Sequence, residues 1–128
     1  MTRTISVVVC DDVPGMRRLA RLVLEEEGDV SVIGEAADGR TAIQEISRLQ
    51  PDVVVLDLSM PEMDGLEAIP AIHDVAPSAK IVVFSGFEEE KLAQTALRRT
   101  ASRYVRKGAP LDELRQAVRS VAPVAGGS

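Results

Sequence analysis

The chain has 128 residues, enough for one domain around one hydrophobic core and too few for a second folded module. Hydrophobic residues make up 45% and charged residues 27%, a globular balance that excludes a disordered or fibrous chain. Fifteen Lys and Arg against 20 Asp and Glu give a net charge of -5, the wrong sign for direct nucleic-acid binding by this segment.

The first predicted element is a strand, Ile5 to Cys10, too short an apolar run for a secretory signal. Cys10 is the only cysteine, so no internal disulfide and no C-x-x-C site can form, and it reads as a small core residue of a cytoplasmic protein. A helix follows from about Pro14, with Met16, Leu19, Ala20, Val23 and Leu24 on one face and Arg17, Arg18, Arg21 and Glu25 opposite. Val30 to Ala36 is the second strand, and Asp38-Gly39 turns into a second helix that buries Ala42, Ile43, Ile46 and Leu49. After Gln50-Pro51-Asp52 comes a third strand, Val53 to Leu58. The third helix, about Gly65 to Val75, contains Pro70, which removes one backbone bond and predicts a kink or a late start. His73 on that helix reads as an exposed polar residue.

Ala76-Pro77-Ser78 leads into a fourth strand, Lys80 to Ser85, and a fourth helix with a Leu92, Ala93, Ala96 and Leu97 stripe. The fifth pair is Ala101 to Arg106 and a helix burying Leu111, Leu114, Val118 and Val121. Residues 1–121 form one domain, and Ala122 to Ser128 reads as a flexible tail or severed linker. Strand runs recurring about every 25 residues, with helices between them, are βα units. Val53-Val54-Val55-Leu56 and Ile81-Val82-Val83-Phe84 lack polar alternation, as strands covered on both faces do. The expected fold is α/β, a doubly wound five-stranded parallel sheet. No run approaches the ~18 apolar residues of a membrane span.

In such a sheet, ligands bind outside the carboxyl ends of the strands, near the point where strand order reverses. Those ends carry Asp11-Asp12, Asp57, Ser85 and Lys107. Three converging carboxylates repel one another unless a cation neutralises them, and a hard divalent ion such as Mg²⁺ suits oxygen ligands. No His or Cys accompanies them, which argues against zinc. A turn or N-cap pair is the competing reading of Asp11-Asp12, and a strand-terminal turn residue that of Asp57. Ser85 and Lys107, taken singly, are a loop residue and a solvated charge. Taken together, a lysine and a hydroxyl beside a carboxylate can hold a transferred phosphoryl group, with Asp57 as the nucleophile that forms an aspartyl phosphate.

These residues, with the tract Val53-Val54-Val55-Leu56-Asp57-Leu58-Ser59-Met60-Pro61-Glu62-Met63-Asp64-Gly65, the Ser85-Gly86 pair and Tyr104-x-x-Lys107, resemble the receiver domain of bacterial two-component response regulators. The resemblance runs from about Ile5 to Val121 and implies a flavodoxin-like (βα)5 fold with strand order 2-1-3-4-5. It implies phosphoryl transfer to Asp57 from a sensor histidine kinase or phosphotransfer protein. Asp12, Asp57 and the backbone carbonyl of Ser59 would hold Mg²⁺, with Asp11 acting through water. Ser85 and Lys107 would engage the phosphoryl group, and Tyr104 would turn inward behind Ser85, altering the surface of the fourth helix, fifth strand and fifth helix. The competing reading of Tyr104 is an edge-strand residue that fits a pleated surface. The implied protein is a signalling switch rather than an enzyme, with phosphorylation-dependent homodimerisation as a further expectation.

The chain departs from the common pattern in places. Lys107-Gly108-Ala109 stands where many receivers have Lys-Pro, and resembles receivers that precede a helix-turn-helix domain in transcription regulators. Thr100 and Arg103 replace glycines frequent in that subgroup, and Ser59 and Phe87, two beyond Asp57 and Ser85, are expected to tune dephosphorylation. Arg98, Arg99, Arg103, Arg106 and Lys107 form a basic cluster that reads by default as a solvated surface, with an acidic partner as the alternative. Other readings are a stand-alone receiver acting through protein contacts and an inactive receiver-like scaffold. A haloacid-dehalogenase-like phosphatase needs a second Asp where Ser59 stands, and a flavodoxin-like carrier needs a phosphate cradle where Asp11-Asp12 would repel phosphate.

Overall fold

The computed structural model describes residues 4–61, 65–86, 90–98 and 101–123. The elements follow in strict alternation: β1 (Ile5–Cys10), α1 (Pro14–Glu25), β2 (Val30–Ala36), α2 (Gly39–Leu49), β3 (Val53–Leu56), α3 (Gly65–Val75), β4 (Lys80–Ser85), α4 (Glu90–Arg98), β5 (Arg103–Arg106) and α5 (Asp112–Val121). The strands form one parallel sheet in the order β2-β1-β3-β4-β5. The order reverses between β1 and β3, so their carboxyl ends open the crevice where such sheets bind ligands.

Both faces of the central strands are buried, which is why their sequences are continuously apolar. Successive side chains leave a strand on opposite faces. Val8, Cys10, Val54, Leu56, Ile81 and Val83 therefore pack with Ala42 and Ile46 of α2, Ile69 and Ile72 of α3, and Ala93 and Ala96 of α4. Val7, Val9, Val53, Val55, Val82 and Phe84 meet Ala20 and Leu24 of α1 and Leu114, Ala117 and Val118 of α5 on the other face. Each fully buried Val, Leu or Ile contributes about 1.5–3 kcal/mol relative to exposure.

Local chemistry fixes several element ends. Pro14 opens α1, where its missing N–H has no helical partner to lose. Asp38 caps α2, accepting from the Thr41 N–H at 2.8 Å. Gln50 ends α2 in the left-handed region at φ 47°, and its Nε2 donates to the Val75 carbonyl at 2.7 Å, tying the end of α2 to the end of α3. At the β1–β2 bulge Gly34 leaves room for α2: a Cβ there would lie 2.6 Å from Leu49 Cδ1.

Five expectations need correction. β3 stops at Leu56 rather than Leu58, because the Ser59 N–H donates to Asp57 Oδ1 at 3.1 Å and turns the chain. β5 starts at Arg103, since the Ala101 N–H is still bonded to Ala96 of α4 at 3.0 Å. α3 does not start late: Pro70 lies inside it on its exposed side, while Ala68, Ile69 and Ile72 anchor the other side in the core. Leu92 and Leu111 are exposed. α4 approaches the sheet through small Ala93 and Ala96, and Leu111 sits in the turn before α5. His73 is half-buried, because α3 packs against both α2 and α4.

Ala122 closes α5 through its N–H to the Val118 carbonyl at 3.1 Å, and residues 124–128 of the expected tail lie outside the described residues. Among the described residues no helix is long and apolar enough to cross a membrane.

Candidate functional site

Backbone bonds between strand ends bring the site together. The Asp57 N–H donates to the Cys10 carbonyl at 2.9 Å, and the Asp11 N–H to that of Ala36 at 3.0 Å. The Lys107 N–H donates to the Ser85 carbonyl at 2.8 Å. The last residues of β1, β3, β4 and β5 are thus held at one edge, with Asp11, Asp57 and Ser85 buried and Asp12 exposed.

Asp57 is the hub. Its Oδ1 accepts from Ser85 Oγ at 3.1 Å, Ser59 Oγ at 3.0 Å and the Ser59 N–H at 3.1 Å. Its Oδ2 accepts from Lys107 Nζ at 3.2 Å. Lys107 also meets Asp11 Oδ2 at 2.6 Å, and Asp11 Oδ1 accepts from the Val13 N–H at 2.9 Å. Carboxylate oxygens of Asp11, Asp12 and Asp57 lie within 4.8 Å of one another. The Lys107 ammonium lies 5.8 Å from the centroid of the Phe84 ring beneath it.

Burial pushes the Asp11 carboxyl above its ordinary value; the Lys107 and Val13 hydrogen bonds oppose this and the Asp57 charge adds to it. For Lys107, burial works to lower the ammonium's value, but the bond to Asp11 and the charges of Asp57 and Asp11 outweigh it and raise the net result. The pocket therefore holds its lysine charged and has surplus negative character. That donor set, all oxygen, fits a hard divalent cation such as Mg²⁺.

The site residues expected from the sequence, Asp11, Asp12, Asp57, Ser59, Ser85 and Lys107, are neighbours in space. Tyr104 pairs with Val83, two residues before Ser85, so its ring lies on the same face of the sheet as Ser85. There it packs half-buried against the core, with its hydroxyl oxygen enclosed. Lys107 does not belong to the surface basic cluster, because it turns into the pocket; Arg98, Arg103 and Arg106 are exposed. Arg99, Thr100, Phe87 and the segment Glu62-Met63-Asp64 lie outside the described residues.

The Lys107-Gly108 departure has a backbone reason: Gly108 adopts φ 98°, which proline cannot reach. Arg103 is accommodated as an exposed residue at the start of β5. Two side chains escaped the sequence reading. Arg17, placed on the polar face of α1, donates to the Asp11 carbonyl at 2.8 Å. Arg115 is buried at a helix stripe position between Leu114 and Val118, donating to the Val23 carbonyl at 3.1 Å and to Glu26 at 3.0 Å. A pattern of polar and apolar residues gives no sign of either.

The fold and this edge define a doubly wound α/β domain with an acidic pocket at its topological switch point. The chain belongs to the response regulator receiver domain family, whose description matches residues 7–119. It is 37% identical over 119 residues to a protein-glutamate methylesterase/protein-glutamine glutaminase of Nocardioides sp., covering 91% of this chain and 32% of that protein. It is 34% identical over 117 residues to the nitrate/nitrite response regulator protein NarL of Escherichia coli, covering 91% of this chain and 54% of that one. The chain thus spans about half or less of the length of these curated relatives. Among solved structures, a LuxR-family two-component response regulator from Aurantimonas sp. superimposes with a TM-score of 0.85 at 32% identity, over 92% of this chain and 84% of that one.

Proposed function

We propose that this receiver is a phosphorylation-activated switch that takes a phosphoryl group onto Asp57 from a phosphohistidine of a sensor histidine kinase or phosphotransfer protein. The observation that carries the reading is the Asp57 carboxylate held between Ser85 at 3.1 Å and Lys107 at 3.2 Å beside two further carboxylates. An Asp57 oxygen forms the new P–O bond as the P–N bond breaks, and the electron pair of that bond leaves on the donor imidazole. Lys107 holds one phosphoryl oxygen and the Ser85 hydroxyl donates to another. Asp12, Asp57 and the Ser59 carbonyl would hold Mg²⁺, with Asp11 acting through water. When bound, the ion supplies positive charge to the pocket and to the transferring phosphoryl oxygens.

Tyr104, on the face of Ser85, couples the hydroxyl's movement to the surface of α4, β5 and α5, which serves as the output and as a phosphorylation-dependent dimer contact. The likeness to NarL, and a Lys107-Gly108-Ala109 sequence like that of receivers preceding helix-turn-helix domains, support a place in a transcription regulator. In that reading this segment signals and another domain binds DNA.

The test is intact mass after incubation with a small-molecule phosphodonor, with and without Mg²⁺, for the chain and its Asp57→Asn variant, with elution volume followed on the same samples. One phosphoryl group that requires both Mg²⁺ and Asp57 is expected. Phosphorylation of the Asp57→Asn variant to the same extent would overturn the assignment.

A further inference from the structure

Arg17 ties the acidic pair to the second strand. Its Nη1 donates to the Asp11 carbonyl at 2.8 Å and its Nε to Glu35 Oε1 at 3.2 Å. Glu35, near the end of β2, is held from its other oxygen by Arg21, through Nε at 3.0 Å and Nη2 at 2.7 Å. The Asp11 carbonyl belongs to the peptide that joins Asp11 to Asp12. Fixing that oxygen fixes the plane from which both carboxylates depart. A guanidinium can serve two acceptors at once from a rigid fork, which an ammonium on a flexible stem does not reproduce. Glu35, shared by Arg17 and Arg21, offsets part of their positive charge, and what Arg17 adds at the Asp11 carbonyl is a donor of fixed orientation.

We infer that Arg17, anchored by Glu35, is a positioning residue for divalent-cation binding: it holds the Asp11–Asp12 peptide so that the acidic pair is oriented before the ion arrives. The inference rests on the Mg²⁺ reading above and adds to it a residue outside the ligand set. Groups that orient metal ligands typically account for ten- to hundredfold in metal affinity.

The test is calorimetric titration of the unphosphorylated chain with Mg²⁺, for the parent and for Arg17→Ala, Arg17→Lys and Arg18→Ala. Arg18 is exposed and removes an equal charge from the same helix. Arg17→Ala and Arg17→Lys are expected to weaken Mg²⁺ binding by about tenfold, and Arg18→Ala to leave it within about twofold of the parent, because solvent and salt screen an exposed charge. The ¹⁵N shift of the Asp12 amide, which shares the held peptide, moves in Arg17→Lys before any metal is added. Phosphorylation follows the same split: the Mg²⁺ concentration for half-maximal rate rises, while the rate at saturating Mg²⁺ stays within about twofold, since an orienting group outside the ligand set acts on affinity. Parent-like binding in Arg17→Ala, full rescue by Arg17→Lys, or an equal loss in Arg18→Ala overturns the inference while leaving the proposed switch intact. A parent chain that takes up no Mg²⁺ overturns both. If Arg17→Ala does not fold, Arg17→Lys and Glu35→Gln carry the test, with Glu35→Gln expected to weaken binding in the same direction.

Discussion

Lys107 stands closer to Asp11, at 2.6 Å, than to Asp57, at 3.2 Å. The ammonium is therefore shared, and the carboxylate that accepts phosphate in the proposed mechanism has the longer of the two bonds. Substituting Lys107→Met removes a charge-assisted hydrogen bond of about 1.5–3 kcal/mol. If that bond persists to a transferring phosphoryl oxygen, phosphorylation of Asp57 slows by roughly ten- to hundredfold. The time course of intact mass with a small phosphodonor measures it, and an unchanged rate would remove Lys107 from the mechanism.

Asp11 gives the pocket a pH dependence with a definite sign. Burial, aided by the Asp57 charge, raises its carboxyl, so the folded state binds this proton more tightly than the unfolded chain does. Its contribution to stability then falls as pH rises from the ordinary carboxylate range through the folded value. Without divalent cations, Asp11→Asn is expected to unfold at higher urea than the parent at neutral pH, with the difference closing in acid. A variant less stable than the parent at neutral pH would contradict this. For Lys107 the contribution is complete below the ordinary lysine value and is lost as pH climbs through its raised folded value.

Much of this was legible in the sequence because chemistry sits at the ends of apolar runs. Asp11, Asp57 and Ser85 close or directly follow β1, β3 and β4, and a run of valines announces a buried strand. The strand order was a different matter, since no local pattern encodes it; it came from the family resemblance. Leu92 and Leu111 were misplaced because helical period assigns a face but not where the helix meets its neighbour. Arg17 and Arg115 were missed because their partners are backbone carbonyls and acids far along the chain, which polarity cannot reveal. Glu62-Met63-Asp64 and Phe87 were named from sequence and lie outside the described residues.

Cys10 is expected to be chemically silent in the native protein. It is buried, and burial with the adjacent Asp11 charge pushes its thiol up to about 12. Thiolate is the reactive form. Iodoacetamide at mildly alkaline pH should leave native protein unmodified and add one group in denaturant. Rapid native labelling, read by mass, would show that β1 is accessible.

Ile69, fully buried on α3, separates stability from chemistry. Substituting Ile69→Ala should cost about 2–5 kcal/mol in urea unfolding through lost burial and a residual cavity. Its phosphorylation rate, measured well below the unfolding transition, is expected to stay near that of the parent, because the side chain lies in the core between α3 and the sheet. A large rate loss in fully folded protein would place Ile69 in the coupling between pocket and core.

The backbone bonds from Asp57 to Cys10 and from Lys107 to Ser85 join strand ends that are distant in sequence. A growing polypeptide therefore possesses Asp57, the proposed acceptor, 50 residues before it possesses Lys107. In the proposed mechanism, a nascent or half-assembled molecule without β5 in place would lack that lysine, so its response to a phosphodonor would be slow, and full competence would report that β5 has docked.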